Sequence, residues 1–132
     1  MRISASIINE GSTHTVVART NENEKTLTVT AKPVGGGSSV NGGEFLCIAL
    51  ATCFCNDLYR EATKRGMKLI KVSVDAWSEF GAEGEAGQAF GYRAQVDAEA
   101  SKEEISALII ETDRVAEIQK TLRTGVEVKL VM

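Results

Sequence analysis

Apolar and polar positions alternate through the first thirty residues. Ile3, Ala5 and Ile7 alternate with Arg2, Ser4 and Ser6, which predicts a half-buried strand. Residues 9–12, Asn-Glu-Gly-Ser, are turn chemistry, because Asn and Gly tolerate positive φ. Residues 13–20 read as a return strand, with Val17 and Arg19 on one face and Val16 and Ala18 on the other. A polar turn at 21–24 leads to a third strand in which Leu27, Val29 and Ala31 alternate with threonines. Strands joined by tight polar turns predict an antiparallel meander.

Residues 33–43 carry a Gly-Gly-Gly run and a Gly-Gly pair, and composition reads this segment as a flexible connector. It lacks the Lys-Ser/Thr and the glycine spacing of the phosphate-cradling loops. The period then changes to that of a helix over residues 43–65. At about 100° per residue, Leu46, Ala49, Leu50, Cys53, Asn56 and Asp57 form one stripe, and Phe45, Ile48, Ala51, Thr52, Cys55, Leu58, Tyr59 and Ala62 a broad second face. A helix apolar most of the way round is predicted to be a core helix. Lys64 and Arg65 suit the negative end of its dipole, and Gly66 suits a left-handed cap.

Ile70, Val72, Val74 and Ala76 alternate with charged and polar residues over 68–80, the clearest strand of the chain. Trp77 falls on its polar face, so something should cover that end. An acidic, glycine-rich loop at 81–88 leads to a paired strand carrying Tyr92, Ala94, Val96, Ala98 and Ala100. Ser101 and Glu104 have the spacing of a capping box, and helical periodicity follows through Ile105, Leu108, Ile109, Val115, Ile118 and Leu122 to Gly125, with a bend. Val126, Val128, Leu130 and Met132 alternate in a predicted closing strand. The order β-β-β-α-β-β-α(α)-β implies an α+β fold in a single domain, residues 1–132.

Composition narrows the function. A net charge of −3 and a pI near 5.2, with no cluster of Lys and Arg among aromatics, leave no footprint for nucleic acid. The longest uncharged run, residues 45–56, is too short to cross a bilayer, and the N-terminus lacks a signal peptide's apolar core. Three cysteines, all between positions 47 and 55, are not a disulfide framework, which predicts a cytoplasmic protein with free thiols.

The chemistry therefore centres on the thiols. Two residues apart on one helix, Cys53 and Cys55 point about 200° apart and cannot bridge. Cys47 and Cys53 are offset by about 9 Å along the axis, which excludes a bridge there too. Free cysteine often serves only as a small buried hydrophobe, so spacing alone leaves packing and reactivity both open. Cys-x-Cys with a distant His14 supplies too few ligands for a closed zinc site in one chain, although a dimer could supply more; no cofactor is expected. The lone His14 has no partner that would make it a catalytic base.

Residues 41–46, Asn-Gly-Gly-Glu-Phe-Leu, and 49–54, Ala-Leu-Ala-Thr-Cys-Phe, resemble the "N-P-E-E-L-L-A-A-A-L-A-A-C-F" segment of the OsmC/Ohr proteins, the osmotically inducible and organic-hydroperoxide-resistance thiol peroxidases. Residues 120–128, Lys-Thr-Leu-Arg-Thr-Gly-Val-Glu-Val, resemble that family's C-terminal "r-t-L-r-x-g-v-e-v". The resemblance implies an intertwined α+β homodimer with sheets around a central helix and active sites at the interface. It implies a thiolate that attacks the peroxide O–O bond, supported by an arginine from an N-terminal strand and a glutamate at the helix start, and a second cysteine that captures the sulfenic acid. By position Cys53 matches the peroxide-attacking cysteine.

The chain departs from that pattern at three places. Ala116-Glu117-Ile118 stands where the family has the "C-P-v" of the second cysteine. Gly42-Gly43 replaces the Pro-Glu pair, so the supporting carboxylate is lost or moved to Glu44. Arg19 is the candidate supporting cation, although its strand carries no family motif. Cys55, a candidate secondary thiol, sits where the family does not usually place one, and Cys47 reads as packing. Two functions follow: an organic-hydroperoxide reductase that uses Cys53 and an external thiol, or a non-catalytic dimer of the same fold that binds a small hydrophobic ligand or senses oxidation.

Overall fold

The computed structural model describes all residues, 1–132, and divides the chain into two compact units, Met1–Phe45 and Leu46–Met132. In the first, β1 (Ile3–Glu10), β2 (Thr13–Thr20) and β3 (Asn23–Leu27) form an antiparallel meander in the order β1-β2-β3. Gly11 turns the first hairpin at φ 59°, and Asn21 turns the second at φ 52°. Asn21 is tied to the start of β1 by a 2.9 Å bond from the Arg2 amide to its Oδ1. The register stacks Ile7, Val16 and Leu27 across the sheet. Only Val16 is buried; Ile3, Ile7 and Ile8 are exposed, so β1 is not the half-buried strand its alternation predicts.

The third strand also differs from expectation. It runs Asn23–Leu27, starting inside the polar turn with Asn23↔Thr20 and ending short of Val29 and Ala31. Ala31 makes only an isolated bridge to Ser38. The glycine segment is not a free connector: it closes on itself through Lys32 N–H to Gly37 O (2.9 Å) and Ser39 N–H to Thr30 O (2.9 Å). Asn9 Oδ1 accepts from the Gly37 amide at 3.1 Å. Gly35, Gly36 and Gly37 all lie at positive φ, a path that side chains with a Cβ rarely follow.

Helix α1 (Gly42–Lys64) opens with a capping box: Asn41 Oδ1 accepts from the Glu44 amide (2.8 Å), and the Glu44 carboxylate accepts from the Asn41 amide (2.7 Å). At its far end Gly66, at φ 65°, donates to Thr63 O and Met67 donates to Ala62 O, which together satisfy the last carbonyls. Within the second unit β4 (Leu69–Glu79) and β5 (Gln88–Ala98) pair antiparallel. Val72↔Val96 and Val74↔Ala94 turn toward a core of Phe54, Leu58, Ala62, Leu108 and Ala116. Trp77 is opposite Gly91, where an added Cβ would come within 2.5 Å of the indole. The bare glycine is what accommodates a tryptophan on the polar face.

The buried stripe of α1 is Leu50, Phe54, Asp57, Leu58 and Ala62, whereas Ile48 and Tyr59 are exposed. In this chain α1 is therefore covered on one face, not buried all round. Helix α2 (Lys102–Val115) begins with the predicted Ser101–Glu104 capping box. The predicted bend is a break: Ala116, extended at ψ 114°, closes α2 through its amide to Thr112 O and accepts from Lys120 to open α3 (Glu117–Thr124). Gly125 ends α3 at φ 62°. Residues 126–132 form no strand. Alternation supplies strand propensity, but a strand exists only in a ladder, and here no neighbouring strand pairs with Val126, Val128, Leu130 or Met132, all exposed.

Candidate functional site

The break at Ala116 determines what faces Cys53. It turns the chain so that the start of α3 lies against α1: Gln119 Nε2 donates to Leu50 O at 3.0 Å, from a nearly fully buried side chain. One turn along α1, the Cys53 thiol donates to Asp57 Oδ2 at 3.5 Å and approaches Glu117 Oε2 at 4.0 Å. The backbone N–H of Ile118 also points at the sulfur. Arg60 completes the cluster, with Nη1 2.9 Å from Asp57 Oδ1 and 3.3 Å from Glu117 Oε1, and Nε 3.0 Å from Glu61.

Each group titrates as this packing dictates. Burial pushes the Cys53 thiol up, the Ile118 amide pulls it down, and the Asp57 and Glu117 carboxylates push it up again. Burial also raises Asp57, which the Cys53 thiol and Arg60 only partly offset. Glu117 goes the other way: backbone N–H at the start of α3, then Arg60, hold it below the ordinary range. Cys53 is thus a protonated thiol tethered to a buried carboxylate, with no cation on the sulfur itself.

Cys53, Asp57 and Glu117 offer one sulfur and two oxygens within 4.8 Å of one another, a donor set that a divalent cation could use. The Arg60 guanidinium already bridges the two carboxylates and supplies the positive charge there.

The other candidates are placed elsewhere. Arg19, on β2, pairs with Glu24 at 2.8 Å and donates to Ser6 at 2.9 Å; Glu44 is engaged in the α1 capping box. Both belong to the first unit. Cys47 lies 3.4 Å from the Ser78 hydroxyl, and Cys47, Cys53 and Cys55 are all free and half-buried. Sequence reasoning did not single out Asp57, Arg60 or Glu117. Asp57 and Arg60 follow Cys53 at four- and seven-residue spacing, which puts all three on one face of a helix. Glu117 was visible only as the residue beside the missing second cysteine.

A second cluster lies near the C-terminal end of α3. Tyr92 on β5 donates its phenol to Asp113 on α2, and Arg123 on α3 clamps Asp113 at 2.7 and 3.4 Å. These residues border a cavity of about 530 Å³, walled by Leu50, Phe54, Phe90, Ile109 and Leu122. The Arg123 and Leu122 of the C-terminal sequence motif are thereby given structural work: one fixes α3 to α2, the other walls the cavity.

A family model described as OsmC-like protein matches residues 35–131. The chain belongs to the OsmC-like family. Solved structures share its fold: an OsmC-like protein from Mycoplasma pneumoniae, 17% identical, covers 93% of this chain and 89% of its own with a TM-score of 0.61. An organic hydroperoxide resistance protein OsmC from Legionella pneumophila is 21% identical over 98% of this chain and 94% of its own, with a TM-score of 0.60. A putative organic hydroperoxide resistance protein from Vibrio cholerae, solved with captopril in one of its active sites, is 19% identical over 96% and 88%, with a TM-score of 0.58. No curated protein matches the chain by sequence. The α+β fold with antiparallel sheets expected of an OsmC-like chain is the one observed. No helix is long and apolar enough to cross a membrane.

Proposed function

We propose that this OsmC-like chain is a thiol-dependent organic-hydroperoxide reductase in which Cys53 attacks the peroxide and an external thiol reduces the resulting sulfenic acid. The observation that carries this reading is the meeting of Cys53 with residues 116–118. The segment that should hold the family's second cysteine does face the sulfur, but it presents a carboxylate and an amide instead. A sulfenic acid formed there finds no thiol on that segment and needs one from outside. The protein works in a reducing cytoplasm as a homodimer of single-domain subunits, with the peroxide bound at the interface. Support for the dimer comes from apolar residues that the single chain leaves exposed, Ile3, Ile7 and Ile8 on β1 and Ile48 and Tyr59 on α1. Arg19 and Glu44 support the thiolate in that assembly, and Cys55 is the secondary thiol.

A second reading is favoured by the raised Cys53 pKa: a non-catalytic dimer that senses oxidation or binds a small hydrophobic ligand. Consumption of cumene hydroperoxide with dithiothreitol separates the two. Turnover by the wild type that Cys53→Ser abolishes is the expected result. Absence of Cys53-dependent turnover with dithiol and monothiol reductants alike would leave the sensor or ligand-binding role.

A further inference from the structure

Peroxide reduction needs a proton as well as a nucleophile. Attack by sulfur on the terminal oxygen of R–O–O–H breaks the O–O bond and leaves an alkoxide, a strong base and a poor leaving group unless it is protonated as it departs. We infer that Asp57 is a catalytic residue of the proposed reaction, carrying the Cys53 proton to the departing alkoxide oxygen. The inference rests on the peroxidase reading.

The geometry supports this from three sides. Asp57 Oδ2 accepts from the thiol at 3.5 Å, so it already touches the reacting atom. Its other oxygen is pinned by Arg60 at 2.9 Å, which fixes Oδ2 toward the sulfur. Asp57 is also nearly buried, at 5% exposure, so bulk water has little access to replace it as a proton carrier. The remaining charged groups facing the sulfur do not duplicate it. Glu117, on α3, is exposed and bonded to Arg60, and Arg60 holds its protons in ion pairs with Asp57, Glu61 and Glu117. The Ile118 amide faces the sulfur but does not exchange a proton at this step.

The step balances. A sulfur lone pair forms the S–O bond to the terminal oxygen, and the O–O electron pair goes to the inner oxygen. The thiol proton passes through Asp57 Oδ2 to that oxygen, giving Cys53 sulfenic acid and an alcohol. Sulfur is oxidised by two electrons, the peroxide is reduced by two, and Asp57 ends as it began.

The test compares three single-turnover rates at Cys53, read by peptide mass spectrometry. They are alkylation by iodoacetamide, oxidation by cumene hydroperoxide and oxidation by perbenzoic acid, whose carboxylate leaving group needs no proton. Asp57→Asn removes a negative charge beside the sulfur, so alkylation at pH 7 should become faster. Oxidation by the alkyl hydroperoxide should nevertheless slow by about 100-fold, within the range for loss of a positioned general acid, while the peracid is not slowed. Glu117→Gln removes charge without removing the proton carrier and should raise all three rates. If the three rates of Asp57→Asn rise together, or both peroxides slow equally, the relay is overturned.

Should Asp57→Asn fail to fold, the wild type decides. Cumene hydroperoxide should slow in D2O more than perbenzoic acid; equal behaviour overturns the role of Asp57. Wild-type Cys53 inert to both peroxides would instead overturn the peroxidase reading.

Discussion

Two clusters near the two ends of α3 share one plan: a weak acid donates to an aspartate that an arginine holds. In one the members are Cys53, Asp57 and Arg60; in the other, Tyr92, Asp113 and Arg123. The aspartates nevertheless titrate in opposite directions. Asp57 is nearly buried and held by one guanidinium nitrogen that it shares with Glu117, so desolvation prevails and its pKa rises. The side chain of Asp113 is 40% exposed and gripped by both terminal nitrogens of Arg123, so the ion pair prevails and its pKa falls. Burial, the second carboxylate of Glu117 and the number of guanidinium contacts set the two directions. The Tyr92 side is a fixed structural clamp, and the Cys53 side is a pair between which a proton can move.

Phe54 joins the two clusters. It follows Cys53 in α1, and its ring lies 4.8 Å from that of Tyr92. Phe54→Ala should cost about 3–5 kcal/mol, as measured by urea unfolding, because the site is fully buried and walled on several sides. It should loosen both clusters together. A cost below about 1 kcal/mol would mean that the two are independently supported.

Asp113→Asn should have the next largest effect. Burial and Asp113 push the Tyr92 phenol up to about 12. Without the carboxylate its ionisation, followed by absorbance near 295 nm, should move down toward the ordinary 10.0. The linked stability has a definite sign. A phenol with a folded pKa near 12 and an unfolded one near 10 makes the wild type lose stability as pH rises through that window, since the unfolded chain deprotonates first. The variant should lose less across the same window; an unchanged titration would show that burial alone sets it.

The smallest effect is expected for Arg60→Gln, because that side chain is 40% exposed and water screens its charge. Removing it leaves two carboxylates beside the sulfur without their counter-charge. Cys53 alkylation at pH 7 should slow about two- to fivefold, the size of a solvent-screened charge interaction. Faster alkylation would mean that Arg60 does not act by holding these carboxylates.

Much of this was legible in the sequence where the cause is local. The Gly66 and Gly125 caps and the Ser101–Glu104 box depend on neighbours a few residues away, and β2, β4 and β5 pair with the strand next to them in sequence, so all stand where the pattern placed them. The closing strand was misread because alternation records a surface suited to pairing, not what pairs with it; the apolar breadth of α1 likewise records a surface suited to burial, of which the single chain covers one face. The glycine segment was misread because composition cannot register the Asn9 bond that closes it.

For the site, the sequence by itself determined the position of the thiol and the four-residue step from Cys53 to Asp57, since both lie on one helix with a fixed pitch. Only the tertiary structure decided what that thiol is chemically. The break at Ala116 brings Glu117 and the Ile118 amide against the sulfur, and burial raises the pKa of Asp57. Such effects depend on distance and desolvation between segments sixty residues apart, and no local pattern encodes them.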